Sequence, residues 1–320
     1  MEKLRILLIT QGISRLVRPL FASEHQVIGI LESMSHDFDG SKNKSTLFGI
    51  LKKIYSAVKR QDVFLPDFCR GQNIPYNFIW KKNSKEIAGW IEGLNPDLIV
   101  VFSMSQLLKD DILKIPRFGV INLHPSFLPS YRGANPDFWQ YYDMEMNPGA
   151  TVHYVNAGED TGDIIYQERV NIPLGTKSPA RLDKLIGELG VSLMLKATDA
   201  IAQGNVLRIP QPAQSPTLRA RNLKPEEHAG IIDWEHWPME RIWHVLRGTE
   251  LWLDAIAQPV GLLAGQRWSI QEYEKTETQK GIPGKIGRYK NRKCVFTKDG
   301  VIYIGIDFDI KKSILKFFQK

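Results

Sequence analysis

Three side chains of this sequence, Asn122, His124 and Asp160, are of the types that could serve a single reacting carbonyl. The first two lie in Gly119-Val-Ile-Asn122-Leu-His124, an apolar run that Pro125 ends, and Asp160 follows 36 residues after His124 in Gly158-Glu-Asp160-Thr161-Gly162-Asp163. Side chains alternate between faces along an extended strand, so Asn122 and His124 point the same way. Pro125 lacks the N–H needed to carry the ladder further. The trio suits acyl transfer: Asn and a protonated His donate to an oxyanion, while the carboxylate holds the imidazole and relays a proton. A lone buried His is more often a structural residue, and it is the ordered combination that argues for chemistry.

Such a trio needs a rigid frame. Residues 4–9 read as a buried strand, Ser14–Ala22 as a helix and Val27–Leu31 as the next strand. Further along, a helical pattern over Ser84–Leu94 is broken by Asn95-Pro96-Asp97 before the apolar strand Leu98–Phe102. A second crossover, Leu107–Ile115, leads to the strand Gly119–Leu123. This alternation predicts an α/β class with a parallel sheet, whose ligands bind at the C-terminal strand ends where Asn122 and His124 sit. The phosphate fingerprint G-x-G-x-x-G is absent, so no dinucleotide is implied. Thr151–Val155 and Ile164–Ile172 read as a hairpin-like return that brings Asp160 back over the pair, and Lys177–Ile201 reads as a long helix.

Pro210, Pro212, Pro216 and Pro225 mark a linker. The predicted division is therefore a catalytic domain over 1–205, a linker over 206–228 and a second domain over 229–320. That second domain carries a helix at Met239–Arg247 and strands at Lys293–Thr297 and Val301–Ile306.

The 320 residues are 43% hydrophobic, enough to bury one large or two modest cores. Cys69 and Cys294 are the two cysteines, which fits a reducing compartment, and neither has metal-ligand spacing. No apolar stretch approaches bilayer length and the start lacks a cleavable leader, so a cytoplasmic protein without membrane attachment or metal is expected. Leu47, Ile50, Leu51, Ile54, Tyr55 and Val58 recur at helical spacing. They predict a core-packed surface helix, with a membrane-surface or nucleic-acid helix as the alternative. The net charge is +7, and residues 275–320 hold 12 Lys and Arg against 4 Asp and Glu. A basic face of that kind is compatible with nucleic acid, with a diphosphate or with solvent alone.

Asn122-x-His124, Ser126-Phe-Leu128-Pro129, Tyr131-Arg132-Gly133 and Asp160-Thr161-Gly162, in that order, resemble the formyltransferases that use 10-formyltetrahydrofolate. The resemblance is strong over 95–172 and weaker over 229–320. It implies a Rossmann-like formyltransferase domain followed by a smaller C-terminal OB-like β-barrel domain. By the same resemblance Asn122, His124 and Asp160 are catalytic. Phe102, Ser103, Met104, Ser126, Leu128, Pro129, Thr161 and Gly162 would bind the folate, and Tyr131, Arg132 and Gly133 the acceptor. The His124-Pro125-Ser126 run is similar to the ribonucleotide and sugar members. Ala134-Asn-Pro-Asp-Phe138-Trp139 and Leu251-Trp252-Leu253-Asp254 depart from the tRNA members, which have small apolar residues and Pro-Trp-Pro-Gly there. The expected acceptor is the amine of a nucleotide-linked sugar. Methionyl-tRNA is the less favoured partner, hydrolysis of the formyl donor and non-catalytic binding are the other readings, and a homodimer is compatible with all of them.

Overall fold

The computed structural model describes residues 2–34, 64–80, 83–177, 182–250, 252–278 and 280–308, so the helix expected over 47–58 lies outside the described residues. The chain forms two compact units that interleave along the sequence: 1–134, 149–169 and 186–219 in the first, and 135–148, 170–185 and 220–320 in the second.

The first unit is built on a seven-stranded sheet of order β3-β2-β1-β4-β5-β6-β7. Its strands are β1 (Arg5–Thr10), β2 (Gln26–Ser33), β3 (Tyr76–Ile79), β4 (Leu98–Phe102), β5 (Val120–His124), β6 (Gly149–Tyr154) and β7 (Ile164–Arg169). The five from β3 to β5 are parallel, and β6 and β7 are each antiparallel to the strand before them. Leu7, Leu8 and Ile9 of β1 and Ile99 and Val100 of β4 are wholly buried, as a sheet covered on both faces requires of its central strands. The helices are α1 (Val17–Phe21), α2 (Leu65–Gly71), α3 (Ser84–Leu94), α4 (Asp110–Leu113) and most of α6 (Leu182–Ala202). In α3 the buried Ile87, Ala88 and Ile91 share one face, and left-handed Asn95 caps the end before Pro96.

The helix expected over Ser14–Ala22 contracts to α1, and the crossover Leu107–Ile115 holds the single turn of α4. The strand β3 and helix α2 give no strong periodic signal, β3 being only four residues long and mostly half-buried.

The second unit holds α5 (Pro136–Tyr142), α7 (Met239–Thr249) and a four-stranded antiparallel sheet of order β8-β11-β10-β9. The strands are β8 (Arg267–Lys275), β9 (Ile286–Tyr289), β10 (Arg292–Thr297) and β11 (Gly300–Asp307). The expected OB-like barrel is not closed: among the described residues β8 and β9 remain the two edges of an open sheet. Helix α7 lies against β8 and β11 instead, and its Met239, Ile242, Val245 and Leu246 fill a core with Trp268, Ile270, Val295 and Ile302. Phe138 of α5 enters the same core and meets Trp252 edge to face at 5.4 Å between ring centroids, within the range where aromatic pairs attract.

His244 of α7 has no exposure. Its Nδ1 accepts the Gly175 N–H at 2.9 Å, and its Nε2 has no partner. Burial pushes this imidazole down to about 4 from an ordinary 6.5. A folded-state value below the unfolded one gives stability that is complete above pH 6.5 and lost as pH falls from there toward 4. Between pH 7 and pH 5 the wild type should lose about 2 kcal/mol more than His244→Leu, at about 1.4 kcal/mol per pH unit below 6.5. Urea midpoints at the two pH values check this, and equal losses would place the pH sensitivity elsewhere.

Candidate active site

The strand β5 ends at His124, and antiparallel pairing with β6 sets Asn122 opposite His153 and His124 opposite Thr151. Residues directly opposite in such a pair share a face, so His153 joins the predicted residues. Asn122 Nδ2 lies 3.2 Å from His153 Nε2. The 2.8 Å contact of His153 Nδ1 is with the Tyr154 carbonyl, which can only accept, so Nδ1 carries a proton. The connection from β6 to β7 then returns Asp160 over both imidazoles. Its Oδ2 stands 3.5 Å from His124 Nδ1 and its Oδ1 3.5 Å from His153 Nε2. The Gly133 N–H donates to Oδ2 at 2.9 Å.

Buried His124 gives its Nε2–H to the Tyr131 carbonyl at 3.0 Å, which fixes the ring and turns Nδ1 toward Asp160. Burial pulls the ring below the ordinary imidazole value against the opposing charge of Asp160. Burial also pushes the Asp160 carboxyl up. The charge that His124 gains on protonation, the adjoining His153 ring and the Gly133 N–H together outweigh it and hold the group well below the usual carboxylate range. The resting centre is therefore an anionic carboxylate between two imidazoles, with His124 neutral.

The other predicted residues divide. Asn122, His124 and Asp160 come together, with the Tyr131 carbonyl and the Gly133 N–H bound directly to them. Phe102, Ser103 and Met104 continue from β4, whose Val101 pairs with Asn122, so they run beside the centre, and Ser103 takes a left-handed φ of 63°. Ser126 and Leu128 close their own loop: Ser126 Oγ donates to the Ser130 carbonyl, and the Leu128 N–H donates to Thr151 Oγ1. The Pro129 carbonyl accepts from Ser215 and the Arg132 guanidinium is spent on Gln211, Pro212 and Ala213, all from the stretch expected to be a linker. Thr161 Oγ1 donates to Asn156. At Gly162 the backbone passes so near Tyr154 that a Cβ would sit 1.8 Å from its carbonyl oxygen.

His153 is the residue the sequence reading missed. The available signal was a polar ring inside the apolar run Gly149-Ala-Thr-Val-His153-Tyr-Val, seven residues ahead of Asp160. Among the described residues no group of three His, Cys, Asp or Glu is arranged to hold a metal, and no helix is long and apolar enough to cross a membrane.

The family model for formyl transferases matches residues 52–198. A methionyl-tRNA formyltransferase of Clostridium beijerinckii is 30% identical over 256 residues, 79% of this chain and 78% of that protein. Another, of Alkaliphilus oremlandii, is 34% identical over 236 residues, 73% of each. Among solved structures, an N-formyltransferase of Helicobacter canadensis, in complex with folinic acid and dTDP-3-aminofucose, superposes with a TM-score of 0.60 at 13% identity. The match covers 95% of this chain and 100% of that one. HypX of Aquifex aeolicus, in complex with tetrahydrofolic acid, gives 0.59 at 17% identity over 94% of this chain and 43% of its own. With relatives 30% and 34% identical that are matched over 78% and 73% of their own length, and with an amide, imidazole and carboxylate gathered at one strand end, the chain belongs to the formyltransferase family of enzymes.

Proposed function

We propose that this enzyme moves the formyl group of 10-formyltetrahydrofolate to a primary amine carried by a nucleotide-linked sugar. The observation that carries the reaction class is the anionic Asp160, flanked at 3.5 Å by His124 and His153 with the Asn122 amide alongside. This donor set fits a formyl donor, because it offers N–H groups to an oxygen gaining charge and a base to a nitrogen losing a proton. When bound, the folate supplies an activated formyl carbon and a nitrogen leaving group.

Asn122 Nδ2 has two N–H groups. One is directed to His153, and the second polarises the formyl oxygen and holds the charge that develops there. His124, neutral at rest with its Nε2–H committed to Tyr131, takes at Nδ1 the proton released by the attacking nitrogen. Asp160 stabilises the imidazolium so formed, and His124 then returns the proton to the departing folate nitrogen. A new C–N bond forms, the old one breaks, and the proton is conserved. Phe102, Ser103 and Met104, which follow the Val101 that pairs with Asn122, would flank the folate.

Two observations support a sugar acceptor. The His124-Pro125-Ser126 run is similar to the ribonucleotide and sugar members. Among the described residues, three cations of the basic C-terminal stretch are also paired with carboxylates: Lys275 with Glu240, Lys290 with Glu274 and Arg292 with Glu272. Exposed pairs are individually weak, but they lower the field that a long phosphate backbone would meet. The names of the relatives at 30% and 34% identity favour the second reading, methionyl-tRNA.

The two readings separate with purified enzyme and 10-formyltetrahydrofolate. Nucleotide-linked 3- or 4-amino sugars are expected to be formylated with release of tetrahydrofolate, and methionyl-tRNA is not. Formylation of methionyl-tRNA, with binding that falls steeply as salt rises, would transfer the assignment to tRNA. Equal release in the absence of any amine would make the enzyme a hydrolase.

A further inference from the structure

We infer that Gln211, from the proline-rich stretch after α6, is a positioning residue for the reaction, acting through the Asp160 carboxylate and the loop that carries Gly133. The inference rests on the catalytic reading of the cluster around Asp160.

Gln211 uses both ends of its amide. Its Nε2 donates to the Asp160 carbonyl at 3.1 Å and to the Gly162 carbonyl at 2.6 Å, while its Oε1 accepts from Arg132 Nε at 3.3 Å and Nη2 at 2.8 Å. A primary amide has two N–H donors and two acceptor lone pairs, so the bonding capacity of the group is complete. Buried Arg132 is held further by the Pro212 and Ala213 carbonyls. One side chain thus ties together two loops that also meet at the reacting centre, where the Gly133 N–H donates to Asp160 Oδ2. The Tyr131-Arg132-Gly133 loop gives His124 its acceptor and Asp160 its N–H donor, and the Asp160–Gly162 turn carries the carboxylate. Asp160 has a left-handed φ of 53°, a conformation that a non-glycine residue keeps when its surroundings hold it. The two Gln211 bonds to that turn are part of those surroundings, and the same strand of chain holds the loop further back, where Thr217 Oγ1 accepts the Tyr131 N–H at 2.7 Å.

Without Gln211 the carboxylate and the Gly133 N–H lose their common reference. The contacts between Asp160 and the two imidazoles are long enough, at 3.5 Å, that a small displacement ends them. Displacement on the order of 1 Å in such a constellation lowers rates by up to about 100-fold. The groups that act electrically on His124 are Asp160, His153 and Glu159, and Asp160 is the strongest of the three. Moving it away lets burial pull the imidazole lower still.

Gln211→Met keeps the length and removes every polar contact, while Gln211→Glu still accepts from Arg132 but cannot donate to the two carbonyls. Both variants are expected to lose about 10- to 100-fold in kcat per folded enzyme, with KM for 10-formyltetrahydrofolate within about threefold of wild type. In Gln211→Met the His124 titration, followed by NMR on the free enzyme, is expected to move to lower pH. Wild-type kcat in Gln211→Glu, an unmoved His124 titration in Gln211→Met, or losses that match the unfolded fraction would each overturn the inference. If Gln211→Met fails to fold, the kcat of Gln211→Glu decides. If the wild type formylates no amine, the functional reading fails, and the His124 titration still decides whether Gln211 positions Asp160.

Discussion

Asp160→Asn is expected to lower kcat/KM by about 10² to 10³ while the protein stays folded. The amide keeps the shape of the carboxylate and can still accept the Gly133 N–H, so the change isolates the charge. That charge stabilises the imidazolium formed when His124 takes the amine proton; with a neutral neighbour, burial loses its strongest electrical opponent and proton transfer becomes uphill. His124→Ala removes the base itself and Asn122→Ala the oxyanion donor. Because the three act in one step, His124→Ala combined with Asp160→Asn should fall within about tenfold of the worse single variant rather than at the product of the two. Steady-state kinetics on the four proteins, with circular dichroism as the check on folding, provide the comparison. An Asp160→Asn enzyme that kept more than a tenth of wild-type activity would remove the carboxylate charge from the mechanism.

The second large effect is expected at Gly162, where the reason is steric. A Cβ there would lie 1.8 Å from the Tyr154 oxygen and 2.7 Å from its carbonyl carbon, both backbone atoms that cannot rotate aside. Gly162→Ala must therefore push apart the start of β7 and the end of β6, which moves Asp160 on one side of the contact and His153 on the other. The expected loss is about 3 kcal/mol of stability, the upper range for overpacking, and activity falls further than the folded fraction. Gly158→Ala is the control. There the added Cβ meets side-chain atoms of Thr161 rather than backbone; turning Oγ1 aside gives up its bond to Asn156, so the expected loss is about 1 kcal/mol. Denaturant midpoints at pH 7 give both values, and a Gly162→Ala loss under 1 kcal/mol would show that the two strands can separate at no great expense.

The parts of the site legible in the sequence are those encoded locally. Alternation along Gly119–His124 places Asn122 and His124 on one face, and the turn residues around Asp160 mark a loop. The sheet fulfils both. What was not legible depends on partners distant in sequence. His153 reaches the centre because the β5–β6 register sets it opposite Asn122, and no local pattern specifies that register. Gln211 lies in a run whose prolines exclude helix and strand, so it reads as a linker, yet that stretch supplies the bonds that anchor Arg132 and the Asp160 turn. A segment without regular structure can still be tightly wired, and composition does not distinguish the two cases. The open sheet of the second unit has a similar origin: the local pattern predicts β10 and β11, whereas β8 and β9 go unpredicted and closure depends on what the two edges meet.

The contact between Phe138 and Trp252 bears on how this chain is set against its relatives. Trp252 stands where the Pro-Trp-Pro-Gly of the tRNA enzymes also has a Trp, so of these two rings it is Phe138 that departs from their pattern. The contact gives Phe138 a packing duty inside the second unit that owes nothing to the acceptor. Exchanging Phe138 for the small apolar residue of a tRNA enzyme would open a void beside Trp252 before it could alter which amine is chosen.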